Sequence, residues 1–159
     1  MTTPTELVAL RERVAGLTGA DRETDARVAV IAGLNFGWCG DEGWSCGDRG
    51  CEGCGKPLGL HDERTSYPSD WEDDERLPRF TASVDAALAF VDRALPGRDL
   101  RIERGHLGPY ASAIIGKSGP LGTFSIEGLG ERPDDELPLA IVEAAIDALI
   151  NSETGHDHE

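Results

Sequence analysis

The sequence predicts an α+β protein in which helices flank a small antiparallel sheet of three to four strands. Apolar residues recur at helical spacing in four segments of the chain. Between residues 100 and 127, glycine and proline separate three short β-like runs, a pattern typical of an antiparallel meander. The 159 residues suffice for one domain with its own core. We expect this domain over residues 1–152, with a cysteine-rich insert at 35–76 and a disordered tail at 153–159.

Both N-terminal helices carry start signals. Thr3 and Glu6 form a capping-box pattern, and Pro4 occupies the first helical position. Thr18 or Asp21 caps the second helix, since each precedes a further apolar pattern. The short connection between the two patterns predicts a helical hairpin. Their apolar positions are Leu7, Leu10, Val14 and Leu17 in the first helix and Ala26, Val30 and Ile31 in the second.

Regular patterns return after residue 76. Leu77–Phe80 predicts a short strand, and Thr81 or Ser83 caps the helix that follows. Pro96 and Gly97 end this helix. Its apolar stripe consists of Val84, Leu88, Val91 and Leu95.

Three strands and a last helix complete the pattern. The strands are expected at Leu100–Arg104, Tyr110–Ile115 and Thr123–Glu127. The last helix starts near Pro138 and ends before the polar tail. Its buried face is expected to include Leu139, Val142, Ile146 and Leu149.

Several short stretches are familiar in combination. Residues 77–81 lead into the helix at 84–95, and residues 137–141 open the terminal helix. Gly37-Trp38 follows the helical hairpin, and Trp71 shortly precedes residue 77. Over most of residues 5–150 this arrangement resembles the phage ABA-sandwich proteins, small proteins of bacteriophages and prophages. The resemblance implies a fold and a phage context, but no reaction and no catalytic residues, and the cysteine-rich insert departs from the family core.

Four cysteines lie within sixteen residues, in the pattern Cys39-x6-Cys46-x4-Cys51-x2-Cys54. Zinc binds four tetrahedral ligands, and thiolates suit it well. A Cys-x2-Cys pair can present two sulfurs from one tight turn, and the neighbouring glycines supply the backbone angles that such a turn needs. The segment has no helical or strand periodicity, so that something other than a helix or sheet must order it. We therefore expect one structural zinc ion.

The ligand set and the state of the thiols have alternatives. His61 could be the fourth ligand in place of Cys39, the cysteine furthest from the others. Unliganded thiols, two disulfides and a redox pair of Cys51 and Cys54 compete with zinc. A cytosolic setting disfavours disulfides, and the redox pair lacks the βαβ context of thioredoxin-like proteins.

Two apparent catalytic motifs lack the required context. Gly43–Gly47 matches the G-x-S-x-G nucleophile elbow around Ser45, but that elbow needs a strand before the serine and a helix after it. Ala111–Ser118 is a relaxed P-loop pattern, but the following Gly119–Gly122 cannot continue a helix. We expect Lys117 in a turn and assign neither residue a catalytic role.

The charge excludes one class of partner. Thirty acidic residues face fifteen basic ones, and the resulting net charge of −15 repels the phosphate backbone of nucleic acids. No apolar run approaches the roughly 20 residues that span a bilayer. No secretion signal is apparent at the N-terminus. We expect a cytoplasmic location in the host cell, without direct nucleic-acid or membrane binding.

These observations predict a non-enzymatic phage or prophage accessory protein that acts by binding and carries a structural zinc site. The expected partner is a host protein, including components of defence systems. The acidic surface either serves solubility or occupies a basic site on such a partner. Two alternatives stay open: a small metal-dependent enzyme, and a trap for a nucleotide-type small molecule.

Overall fold

The computed structural model describes residues 3–33, 77–105 and 109–154, together with the backbone of 35–39 and 43–47. These residues form an α+β protein, as predicted, with a three-stranded antiparallel sheet and four α-helices. A separate two-stranded sheet lies in the cysteine-rich segment. The elements are α1 (Pro4–Ala15), α2 (Arg22–Ile31), β1 (Asn35–Cys39), β2 (Gly43–Gly47), α3 (Val84–Ala94), β3 (Asp99–Arg104), β4 (Tyr110–Ser118), β5 (Phe124–Pro133) and α4 (Leu137–Thr154), with short 3-10 helices at Pro120–Gly122 and Asp134–Glu136.

The helix starts follow the capping signals of the sequence. In α1 the Thr3 hydroxyl accepts a hydrogen bond from the Glu6 N–H, and the Glu6 carboxylate accepts one from the Thr3 N–H. Asp21, rather than Thr18, caps α2, and Ser83, rather than Thr81, caps α3. These contacts satisfy N–H groups that have no partner within the first turn of a helix.

The three-stranded sheet is the predicted meander, in the order β3-β4-β5. Ala113 of β4 lies opposite Ile102 of β3 and opposite Gly130 of β5. The strands β4 and β5 extend further than predicted, and their register shifts between Ile115 and Gly116. The shift leaves one extra residue in β5, as in a β-bulge.

Helix α4 occupies the centre of the core. It packs against β4 and β5 on one side and against α1 and α3 on others. The predicted face is buried, with Leu149 only partly so, but burial extends beyond it, because a helix surrounded by other elements is buried all round. Between Leu139 and Ala148 the only residues above the buried range are Glu143 and Asp147. Each carries an ion pair, Glu143 with Arg132 at 3.0 Å and Asp147 with Arg11 at 2.9 Å.

Two further expectations need correction. Leu77–Phe80 forms a bend and a turn instead of a strand, and the Arg79 carbonyl accepts hydrogen bonds from Ala82 and Ser83. Its apolar residues, Leu77 and Phe80, are buried as core contacts, which explains why they resembled strand residues. In the cysteine-rich segment, expected to lack regular elements, β1 and β2 pair with each other.

Three remaining expectations concern the helical hairpin, the end of the domain and membrane-spanning helices. Helix α1 packs on α4 and touches α2 less extensively, and the helical hairpin stays a prediction. Helix α4 continues through Thr154, past the expected domain end at 152, while residues 155–159 lie outside the described part. In the described ranges no helix is both long and apolar enough to cross a bilayer.

Candidate functional site

The predicted zinc ligands lie only partly within the described residues. Cys39 is the last residue of β1, opposite Gly43, and Cys46 lies in β2, opposite Phe36. The two cysteines are thus three register positions apart, about 10 Å along the ladder. Cys51, Cys54 and the alternative ligand His61 lie outside the described residues.

In residues 3–33, 77–105 and 109–154, no group of three or more His, Cys, Asp or Glu side chains is placed to hold a metal ion. The zinc site therefore stays a prediction about the cysteine-rich segment.

A buried carboxylate stands out at the start of α2. Asp25 is fully buried, and its Oδ1 accepts hydrogen bonds from the Thr81 N–H at 2.7 Å and the Thr81 hydroxyl at 2.9 Å. Its Oδ2 accepts one from the Arg22 guanidinium at 2.8 Å. Burial raises the pKa of Asp25 above its ordinary value, and the hydrogen bonds from Thr81 and Arg22 offset this only in part. The carboxylate joins α2 to the segment that precedes α3.

Nearby Asp21 behaves in the opposite way. Burial favours its neutral form, but hydrogen bonds from Thr24 and Arg13 outweigh burial and lower the pKa of Asp21 below its ordinary value. Its Oδ2 lies 3.0 Å from both the Thr24 N–H nitrogen and the Arg13 guanidinium. Thr81 links the two aspartates at the N-terminal end of α2, because its hydroxyl accepts from the Asp21 N–H and donates to the Asp25 carboxylate. The two carboxyl groups have pKa values shifted in opposite directions.

Two arginines, one on α2 and one on α3, bind backbone carbonyls at the two ends of the cysteine-rich segment. Arg22 donates to the Leu77 carbonyl at 3.0 Å and to the Pro78 carbonyl at 3.2 Å, where the segment returns to the core. Arg93 of α3 donates to the Gly33 carbonyl at 3.3 Å, where the segment begins. The residues that flank the segment are therefore held by side chains of α2 and α3.

A second buried charge lies on the α4 side of β5. Arg132 donates to the Val14 and Leu17 carbonyls, at 2.6 and 2.7 Å, and to the Glu143 carboxylate at 3.0 Å. Carbonyls at the C-terminal end of a helix attract cations. Arg132 therefore ties β5 to the end of α1 and to α4.

The sheet face towards α4 is built from small residues. A Cβ atom on Gly128 would lie 1.9 Å from the Ala144 carbonyl oxygen, and one on Gly130 would lie 2.0 Å from that of Ala140. Real Cβ atoms do not approach so closely, so only glycine fits at these two positions. We call this surface the inner face; it consists of Ala111, Ala113, Ile115, Gly128 and Gly130.

The opposite side of the sheet carries large apolar residues. Ile126 is 62% exposed, Tyr110 51% and Leu129 47%. The Arg101 guanidinium lies 3.9 Å from the centroid of the Phe124 ring, within the range of a cation–π contact. We call this surface the open face; its residues, placed by the strand register, are Arg101, Tyr110, Ile114, Phe124, Ile126 and Leu129.

Sequence reasoning missed the open face. Its signal was present, because β5 alternates Gly128 and Gly130 with Leu129 and Glu131. Such alternation predicts one close-packed face and one different face. The turn residues predict the three-stranded meander, but they do not show which strand residues share a face.

Both apparent catalytic motifs lie in strands. Ala111–Ser118 belongs to β4 and leads into a 3-10 helix, so the strand-to-helix geometry of a P-loop is missing, as predicted. Lys117 lies in β4 rather than in a turn, and its Nζ is 3.5 Å from the Glu127 carboxylate. Ser45 lies in β2, opposite Gly37.

Comparisons with protein-family models, curated proteins and solved structures give no match to the chain. The resemblance to phage ABA-sandwich proteins stays a prediction from the residues quoted for it.

Proposed function

We propose that the chain is a non-enzymatic phage or prophage protein that binds a host protein through the open face of its sheet. The observation that carries this proposal is the exposure of Ile126 and Leu129 at neighbouring register positions beside Ile114. The exposed Tyr110 lies on the same side of the sheet but four positions away along β4, beyond the Ser112–Glu131 pair. Contiguous exposed apolar residues mark interaction sites more often than isolated ones do. Phe124 and Arg101 are adjacent, and aromatic residues and arginine are enriched in interfaces.

Charge indicates the chemistry of the partner. The register places the acidic residues Asp99, Glu103 and Glu131 on the same side of the sheet as the apolar ones. The whole chain carries a net charge of −15. An apolar patch with an acidic surround complements a basic protein surface that has an apolar centre. Such a partner would be a host protein that normally binds an anionic molecule.

Capture from lysate of the phage host can test this role. Immobilised wild-type protein and two variants, Ile126→Asp and Val8→Asp, would be compared at low and high salt. Val8 is the matched control, because it is 43% exposed but lies on α1, away from the sheet. We expect Ile126→Asp alone to lose a basic partner, and added salt to weaken capture by the wild type.

Other outcomes would contradict the proposal. Equal capture by the wild type and both variants would place the binding site elsewhere, and salt-insensitive capture would exclude the acidic surround from recognition. Native mass spectrometry of the same preparations would report a retained nucleotide, which the small-molecule alternative requires.

We also propose that the cysteine-rich segment holds one structural zinc ion through Cys39, Cys46, Cys51 and Cys54. The three register positions between Cys39 and Cys46 support testing the set in which His61 replaces Cys39. Arg22 and Arg93 anchor the segment's ends independently of any metal. This anchoring supports a core that folds without the metal, so that the zinc ion would order only the segment.

Elemental analysis of protein purified without chelator should give one zinc per chain. Cys54→Ser should lower this content in either ligand set, whereas Cys39→Ser and His61→Ala distinguish the two sets. Chelation should expose residues 48–76 to protease while the helical signal of α3 and α4 persists. A zinc content far below one equivalent would contradict the site, and loss of all helical signal on chelation would contradict a metal-independent core.

A further inference from the structure

Strand β3 forms one edge of the three-stranded sheet, because the strand order is β3-β4-β5. Residues 101–104 of this strand are all exposed. Ile102 is 43% exposed although its register partner, Ala113, is fully buried. A sheet edge presents backbone N–H and C=O groups that can pair with another strand.

The hydrogen-bond pattern defines which residues of β3 are available. The Gly105 N–H donates to the Tyr110 carbonyl at 2.9 Å, in continuation of the β3–β4 register. Because bonding alternates along an antiparallel ladder, the odd-numbered residues of β3 bond to β4. Leu100, Ile102 and Arg104 therefore direct their N–H and C=O groups towards the edge.

This alternation restricts how a second copy of β3 can pair. In an antiparallel pair, residues that exchange hydrogen bonds lie directly opposite each other, so even-numbered positions must face even-numbered positions. Within β3, two registers pair five residues of each copy, and one of them sets Ile102 opposite Ile102 of the second copy, on a two-fold axis. Leu100 then lies opposite Arg104.

Charge selects the register centred on Ile102, and the reason is the pairing of charged residues in this register. It sets Arg101 opposite Glu103 of the second copy, twice by symmetry, at the closely spaced non-hydrogen-bonded positions. A shift of two residues one way opposes Arg101 with Arg101 and Asp99 with Glu103. A shift the other way opposes Glu103 with Glu103. Both shifted registers bring like charges together, which destabilises cross-strand pairs.

We propose that the protein forms a two-fold symmetric dimer through β3, centred on Ile102 and held by two Arg101–Glu103 pairs between the copies. The three-stranded sheet becomes a six-stranded one. Since the two-fold axis is perpendicular to the sheet, both α4 helices lie on the same side, and the two open faces join on the other. This inference does not rest on the proposed host partner.

Charge exchange between copies tests the register. Sedimentation of the full-length wild type should give twice the chain mass of 17.0 kDa. Arg101→Glu and Glu103→Arg should each give monomer, because each opposes like charges at both pairs. The double variant Arg101→Glu/Glu103→Arg should restore the dimer, and a mixture of the two single variants should form a heterodimer. Glu131→Arg is the matched control, since this residue lies on β5, and its variant should remain dimeric.

A second variant tests the backbone pairing. Ile102→Pro removes an N–H that points to the edge and plays no part in the β3–β4 ladder, so it should abolish the dimer and keep the fold. A monomeric wild type, or single charge variants that remain as dimeric as the wild type, would overturn the proposal. Failure of the mixed variants to associate would overturn the register.

Discussion

The inner and open faces of the sheet are made by the same three strands but differ in residue size and in cover. The inner face uses glycine and alanine at the contact with α4, where Gly128 and Gly130 leave no space for a Cβ atom. The open face uses isoleucine, leucine, tyrosine and phenylalanine, and Ile126 remains 62% exposed. The larger apolar residues are thus on the less buried side.

Within this sheet, burial therefore follows the proximity of the backbone to α4 more than side-chain size. Ala140, Ala144 and Ala148 recur every four residues along α4, all fully buried, and let the helix backbone approach β5. Close packing of small residues maximises contact, because protein interiors tolerate few voids. Large residues on the open face contribute less to the fold and are available for binding.

The largest expected effect comes from adding a side chain to the inner face. Gly130→Val would place its Cβ atom 2.0 Å from the Ala140 carbonyl oxygen, so α4 would have to move away from β5. We expect a loss of more than about 3 kcal/mol in the free energy of unfolding, which would unfold a marginal domain. Urea denaturation followed by circular dichroism measures it.

The matched control is the next residue of β5. Glu131→Val introduces the same side chain, in place of a glutamate, on the other side of the strand, where the position is exposed. We expect a change within about 0.5 kcal/mol, as for most surface substitutions. Similar losses for both variants would show that the two faces do not differ in packing as described.

The second prediction extends the comparison from apolar to charged groups. Asp25→Asn keeps the Oδ1 acceptor for Thr81 but places an NH2 group where Oδ2 accepts from Arg22. The loss of this hydrogen bond should cost at most roughly 1.5–3 kcal/mol, the usual value for a hydrogen bond to a charged group, and less towards neutral pH, because burial disfavours the charged carboxylate that the bond requires. Chemical denaturation at several pH values measures it, with Asp21→Asn as the comparison.

The two aspartates should show opposite pH dependence. Because the pKa of Asp25 is raised in the folded state above its ordinary 3.8, its contribution to stability is complete below that value. This contribution is lost as the pH rises through the folded-state pKa. The pKa of Asp21 is lowered, so its contribution is present above 3.8 and is lost as the pH falls. Differences between wild type and variant that slope the same way for both residues would contradict these assignments.

The sequence predicted the parts of the fold that depend on local signals. Capping by Thr3 and Ser83 and the three-stranded meander rest on neighbouring residues, and the structure confirms them. Burial of α4 on all sides depends on which elements surround it, and a one-dimensional pattern does not contain that information. The same reason explains Leu77 and Phe80, whose apolar character serves the core rather than a strand.

The candidate site was less predictable. Spacing alone suggested the four cysteines, whereas the open face depends on the register that brings Ile114, Ile126 and Leu129 together from β4 and β5. The hydrogen bonds from Thr81 to Asp25 join residues 56 positions apart in the chain. Such long-range contacts follow from tertiary packing, and local residue patterns do not reveal them.

The smallest expected effect concerns Lys117, at the end of β4. Its Nζ lies 3.5 Å from the Glu127 carboxylate, and its side chain is 54% exposed. Exposed ion pairs contribute little, because water and salt screen them, so Lys117→Ala should change the free energy of unfolding by less than about 0.5 kcal/mol. Glu127 also keeps its ion pair with the less exposed Arg98 in this variant. Nucleotide binding by the wild type that disappears in Lys117→Ala would restore the P-loop interpretation, whereas an unchanged protein would leave Lys117 as a surface residue beside the bulge.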